Sequence, residues 1–115
     1  MKKILLVCLI ACVSTYAQNF DTVKITEKVK GFKKTTKEYY VLKDNKEIRH
    51  GLYKEYYKGV LVVQGAFKND KKEGLWSYKS PKGQYLQEGM FKDGKPVGSW
   101  KRINMKGDQM ETYNL

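Results

Sequence analysis

GLYKEYYKGVLVVQGAFKNDKKEGLWSYKSPKGQYLQEGMFKDGKPVGSW, residues 51–100, is the stretch that decides the fold. Gly51-Leu52-Tyr53 opens it, Gly74-Leu75-Trp76 recurs near its middle and Gly98-Ser99-Trp100 closes it, at a near-constant interval of about two dozen residues. The segments between also correspond: Gly59 answers to Gly83 and Gly107, and Gly65-Ala66-Phe67 answers to Gly89-Met90-Phe91. A fixed period of this length marks an array in which each unit buries an apolar face against its neighbours.

Inside a unit the pattern has period two. Tyr53, Glu55 and Tyr57 share one parity, Lys58-Gly59 supplies a tight turn, and Leu61, Val63, Gly65 and Phe67 share a parity on the return. The next unit repeats this with Trp76 and Tyr78, a Ser80-Pro81-Lys82-Gly83 turn, then Tyr85, Gln87, Gly89 and Phe91. Alternation over short runs predicts strands with one buried face, and glycine at the turns supplies the positive φ of hairpin connections. The expectation is an all-β fold of stacked β-hairpins in an elongated, twisted antiparallel meander. Glycine inside a strand costs stability; at Gly65 and Gly89 the missing side chain leaves room for a large ring across the sheet, such as Trp76 or Trp100.

Working outward, Tyr39-Tyr40-Val41-Leu42 restarts the strand signal, and Lys43-Asp44-Asn45-Lys46 resembles the turn chemistry of Lys68-Asn69-Asp70-Lys71. Residues 39–50 thus form half a degenerate unit, followed by units 51–73, 74–97 and 98–115. Residues 18–38 do not fit the repeat and form a lead-in or cap. It holds one short strand around Val23 and Ile25, then Gly31 and a solvated loop over Lys33-Lys34-Thr35-Thr36-Lys37.

Met1-Lys2-Lys3, the apolar run Ile4 to Ala11 and a Thr15-Tyr16-Ala17 site are the parts of a secretory signal peptide over residues 1–17. The expected destination is the periplasm or the extracellular space. A rival in the same segment is Leu9-Ile10-Ala11-Cys12, which resembles a lipobox and would tether the chain at Cys12. Both cysteines, Cys8 and Cys12, lie in the leader, so the domain beyond it has no disulfide, thiolate metal site or cysteine nucleophile. The chain carries 23 Lys+Arg against 12 Asp+Glu. Such excess suits anionic partners, and it equally serves solubility and the protection of strand edges.

The residues now carry a resemblance. Gly-x-Trp/Tyr openings, a glycine turn, and Phe67-Lys68-Asn69-Asp70-Lys71 beside Phe91-Lys92-Asp93-Gly94-Lys95 resemble the variant MORN repeat of bacterial proteins, many of them labelled YwqK-type antitoxins. The resemblance covers residues 39 to about 113. It implies stacked hairpins in an elongated twisted sheet, a role in protein association, contact with membrane lipids as proposed for the eukaryotic relatives, and an immunity or antitoxin role.

Nothing in the sequence composes a catalytic centre. His50 is the only histidine, and between Arg49 and Gly51 it reads as a surface turn residue. No second histidine completes a zinc site, no dense acidic loop suits calcium, and Asp44, Asp70, Asp93 and Asp108 read as turn formers. The expectation is a non-enzymatic protein without metal or cofactor. Tyr53, Tyr56, Tyr57, Trp76, Tyr78 and Trp100 are the candidate binding residues; Gly51, Gly59, Gly65, Gly74, Gly83, Gly89, Gly98 and Gly107 define the repeat. Tyr56 and Tyr57 are adjacent and point to opposite faces, so one ring is a candidate for exposure. The leading expectation is an envelope scaffold or binding module for a protein partner, anchored by its aromatic residues. The alternatives are an anionic lipid or glycan, met at the membrane surface; an immunity role; and an array that spaces larger assemblies. Export and the lack of a reading motif argue against nucleic acid.

Overall fold

The computed structural model describes residues 21–31, 34–104 and 109–115. The signal-peptide and lipobox readings and Gly107 lie outside them. Eight strands follow one another: β1 Thr22–Lys28, β2 Thr35–Leu42, β3 Arg49–Tyr57, β4 Val60–Lys68, β5 Lys71–Lys79, β6 Tyr85–Lys92, β7 Lys95–Asn104 and β8 Gln109–Asn114. They form one open antiparallel sheet in sequence order, with no helix among the described residues. The all-β meander expected from the repeat is the architecture found.

Three connections are two-residue turns with positive φ at both positions: Lys58-Gly59, Asn69-Asp70 and Asp93-Gly94. This geometry matches the twist of paired strands. The β5–β6 loop is longer, and the Ser80 hydroxyl gathers the backbone N–H groups of Gln84 and Tyr85 at 2.6 and 3.0 Å.

The glycines that open each unit are the residues that bend the strands. The ladder shifts register at three equivalent places, between Tyr39 and Val41 on β2, Gln64 and Ala66 on β4, and Glu88 and Met90 on β6. Opposite each shift lies an opener with positive φ: Gly51 at 115°, Gly74 at 77° and Gly98 at 72°. Each is a β-bulge that needs glycine for its backbone and re-aims the aromatic residue two positions on.

One face of the sheet is the core. Tyr53, Phe67 and Trp76 are buried together, with Tyr39, Val63, Tyr78 and Phe91 packed around them. Trp76 meets Tyr53, Phe67, Tyr78 and Phe91 at centroid distances of 5.2 to 6.2 Å. Such ring pairs add about 0.5–1.5 kcal/mol each beyond the area they bury. A side chain at Gly65 would overlap the Trp76 ring, and one at Gly89 would overlap Trp100. The glycines therefore make room for the indoles, as the sequence pattern suggested. In the first unit Tyr39 occupies the place of Gly65, and the opposite residue is the smaller Tyr53, stacked on it at 6.2 Å.

Two expectations are corrected. Thr35, Thr36 and Lys37 are not loop but the start of β2, paired to both neighbours through Lys28↔Thr36 and Thr36↔Tyr56. β-Branched threonines suit the middle of a sheet, and this outweighs the solvated look of the lysine run. Leu61 does not continue the row of Val63: a shift between Glu55 and Tyr56 sets it opposite Tyr56.

Candidate functional site

Of the candidate binding residues, three belong to the core. Tyr53 is 8% exposed, Trp76 1% and Trp100 4%. The Tyr53, Trp76 and Trp100 rings are not a surface that a partner could touch, and their expected role as anchors gives way to packing. Burial first, and then the charge of Glu55, pushes the Tyr53 hydroxyl up to about 12. Tyr56, Tyr57 and Tyr78 are half-buried. Tyr57 lines a depression of about 510 Å³ with Val60, Pro81 and Tyr85 where two hairpin tips meet. Tyr78 stacks between Trp76 and Trp100, and its hydroxyl accepts a hydrogen bond from the Lys72 ammonium at 3.2 Å.

His50 is 1% exposed rather than a surface turn residue. Its Nδ1 accepts the N–H of Asn69 at 3.1 Å, which fixes the β4–β5 turn from β3. Beside it, Asp70 Oδ1 accepts both the backbone N–H and the Nε–H of Arg49, at 3.2 and 3.1 Å. These bonds hold the Asp70 carboxyl below its usual value, the backbone one most strongly. The next unit repeats the device with different chemistry: Glu73 accepts the N–H of Asp93 at 3.0 Å. At Gly51 and Gly74 the residue before the bulge glycine thus caps the turn of the following unit, whereas Val97, before Gly98, has no side-chain acceptor to do so. This linkage across units accounts for His50 as a structural acceptor.

The cations follow the same register. Arg49 lies over Phe67 at 4.2 Å, and Lys72 lies over Trp76, Phe91 and Tyr78 at 4.7, 5.0 and 5.7 Å. Cations therefore roof the aromatic row of the first two units. Other lysines, scattered in sequence, are gathered by folding at one end of the sheet. Lys68 faces Lys71 and Lys92 faces Lys95 across their turns, all four exposed.

The opposite face carries residues that the repeat pattern passed over. Leu52, Leu75 and Met90 are 53%, 56% and 47% exposed, and Val97 is 39% exposed. Register sets them in two groups: Leu52 pairs with Ala66, which in turn faces Glu73, and Leu75, Met90 and Val97 are opposed across β5, β6 and β7. They are the middle residues of the Gly-x-aromatic and Gly-x-Phe motifs, plus one neighbour of a bulge. Their signal was present, because the variable letter is apolar in Gly51-Leu52-Tyr53, Gly65-Ala66-Phe67, Gly74-Leu75-Trp76 and Gly89-Met90-Phe91. Beside this row runs a polar ladder, Glu38↔Lys54↔Gln64↔Ser77↔Glu88↔Lys101. In it Lys101 Nζ meets Glu88 at 2.9 Å, and the Ser77 hydroxyl donates to Glu88 at 3.2 Å.

Among the described residues no group of three or more His, Cys, Asp or Glu side chains is placed to hold a metal ion. No helix there is long and apolar enough to cross a membrane. The chain matches no protein-family profile, and neither a curated protein nor a solved structure matches it at a significant level.

Proposed function

We propose that this chain is a non-enzymatic, exported binding module that docks a protein partner on the aliphatic face of its sheet. The observation that carries the reading is the exposed row Leu75, Met90 and Val97, opposed across β5 to β7 on the face away from the core, with exposed Leu52 on the same face of β3. Contiguous apolar surface of this kind marks interaction sites. The adjoining ladder carries both signs of charge, Glu38 and Lys54 at one end and Glu88 and Lys101 at the other with Gln64 and Ser77 between, which suits a protein rim better than a surface of one charge. The resemblance to MORN-type repeats, with its implied protein association, adds to the reading.

A second reading has its own observation. Lysines facing each other directly across a turn repel, and Lys68↔Lys71 and Lys92↔Lys95 place two such pairs at one end of the sheet. An anionic lipid or glycan would relieve that repulsion.

The discriminating experiment is affinity capture from envelope extract, washed at low and then high salt. Exposed charges are screened within about 10 Å at 0.1 M salt. One protein retained through the high-salt wash by the wild type, and lost with Leu75→Glu, supports the aliphatic face. Lipid or glycan released by salt, and released earlier from Lys68→Ala or Lys92→Ala, supports the lysine end instead.

A further inference from the structure

The polar ladder beside the aliphatic residues is complementary to its own reverse. From β2 to β7 it runs Glu38, Lys54, Gln64, Ser77, Glu88 and Lys101. Thr26 on β1 and Thr112 on β8 extend it to the two margins of the sheet. Its centre therefore falls between Gln64 on β4 and Ser77 on β5. Turned end for end, Glu38 meets Lys101, Lys54 meets Glu88, Gln64 meets Ser77 and Thr26 meets Thr112. Every acid finds a base, and every neutral residue a neutral one.

The aliphatic residues obey the same reversal. Leu52, Ala66, Leu75 and Met90 each stand two positions along their strands from Lys54, Gln64, Ser77 and Glu88. They lie on one side of the ladder, because neighbouring strands are antiparallel. Reversal sets Leu52 against Met90 and Ala66 against Leu75. The two apolar groups that register separates within one sheet thus meet each other.

We infer that the partner of this face is a second copy of the chain, packed face to face about a two-fold axis that runs along the strands between β4 and β5. The inference rests on the reading of the aliphatic face as a docking surface and names its occupant. A two-fold interface must be self-complementary, since the same patch serves both subunits. This axis lays β2 over β7 of the second copy and β3 over β6, with the sheets about 10 Å apart as in a sandwich. A two-fold axis along the ladder would also keep the two twisted sheets aligned, and charge decides between them. That second axis sets every strand on its own equivalent, with Glu38 on Glu38 and Lys54 on Lys54, and like charges so placed exclude the arrangement. In the first, Lys101 and Glu88, already 2.9 Å apart within one sheet, stack on Glu38 and Lys54 of the second copy. The four charges then alternate around a square.

The test is sedimentation equilibrium of the purified chain over a concentration series. The wild type is expected to dimerise, and Leu75→Glu to weaken the dimer roughly tenfold or more. Two further variants carry a ladder of one sign: Glu38→Lys/Glu88→Lys is basic throughout and Lys54→Glu/Lys101→Glu is acidic throughout. Each should remain monomeric alone, and an equimolar mixture should form a heterodimer. Circular dichroism checks that every variant keeps its sheet. A monomeric wild type overturns the inference and leaves the docking surface to a different protein, which envelope capture with Leu75→Glu reads independently. A dimer that survives Leu75→Glu also overturns it, because the contact then lies elsewhere on the sheet. Folded charge variants that dimerise alone, or that stay apart when mixed, overturn it in the same way.

Discussion

The Trp76 indole lies across the backbone of Gly65, on the place where any side chain at residue 65 would project. The same relation joins Trp100 to Gly89, one unit further on. Neither glycine has positive φ, so the requirement is for space and not for an unusual backbone. Gly65→Ala should therefore destabilise by about 1–3 kcal/mol through overpacking. In Gly65→Ala/Trp76→Leu the two losses should be less than additive, because the smaller side chain vacates the site. Urea denaturation of the four proteins in the cycle measures the coupling.

Loss of the His50 acceptor should be felt at a turn nineteen residues away in sequence. His50→Ala leaves the Asn69 N–H without its partner and opens a cavity beneath the turn. The expected cost is about 1–3 kcal/mol, with amide exchange accelerated first at Asn69 and Asp70. Exchange that speeds uniformly over the chain would contradict a local cap.

Acid should loosen the same turn. The Asp70 carboxyl is held below its usual value of 3.8 by the Arg49 backbone N–H and then by the Arg49 guanidinium. A carboxyl depressed in the folded state contributes stability that is present above its ordinary value and lost as pH falls through the lowered one. The pair is half exposed, so the contribution is under about 1 kcal/mol. Asp70→Asn should flatten the acid limb of the stability profile below about pH 4.

Alkali acts through Tyr53. Its hydroxyl ionises near 10.0 when unfolded and about 12 when folded, because burial and then Glu55 disfavour the phenolate. A raised group contributes stability in full below the unfolded value, and that stability is lost as pH rises from 10.0 toward about 12. Tyr53→Phe should remove this part of the alkaline decline. Phenolate absorbance should show one tyrosine fewer titrating near pH 12.

How far the fold could be read from the sequence depended on what a single residue type encodes. Lys58-Gly59 and Ser80-Pro81-Lys82-Gly83 announce turns, and alternation around Tyr53, Trp76 and Phe91 announces strands with one buried face. The glycine openers announced a period but not a bulge, because the register shift at Gly51, Gly74 and Gly98 depends on the partner strand. Thr35 to Lys37 looked solvated because charge is visible in sequence while pairing to β1 and β3 is not. His50 looked exposed because its partner, the Asn69 N–H, is a backbone group with no letter of its own. Aromatic residues drew attention as binding residues, although their size is what places Tyr53 and Trp76 in the core. The short aliphatic residues beside them, Leu52 and Leu75, are the ones that the alternation turns outward.

The most direct test of the account takes Leu52→Glu, Leu75→Glu and Met90→Glu through two measurements on one preparation, thermal unfolding and affinity for the captured protein partner. Exposed substitutions away from packing usually change stability by no more than about 0.5 kcal/mol. The account predicts wild-type melting for all three variants together with a loss of affinity of roughly tenfold or more in each. Unfolded variants, or folded ones that bind as the wild type does, would contradict it.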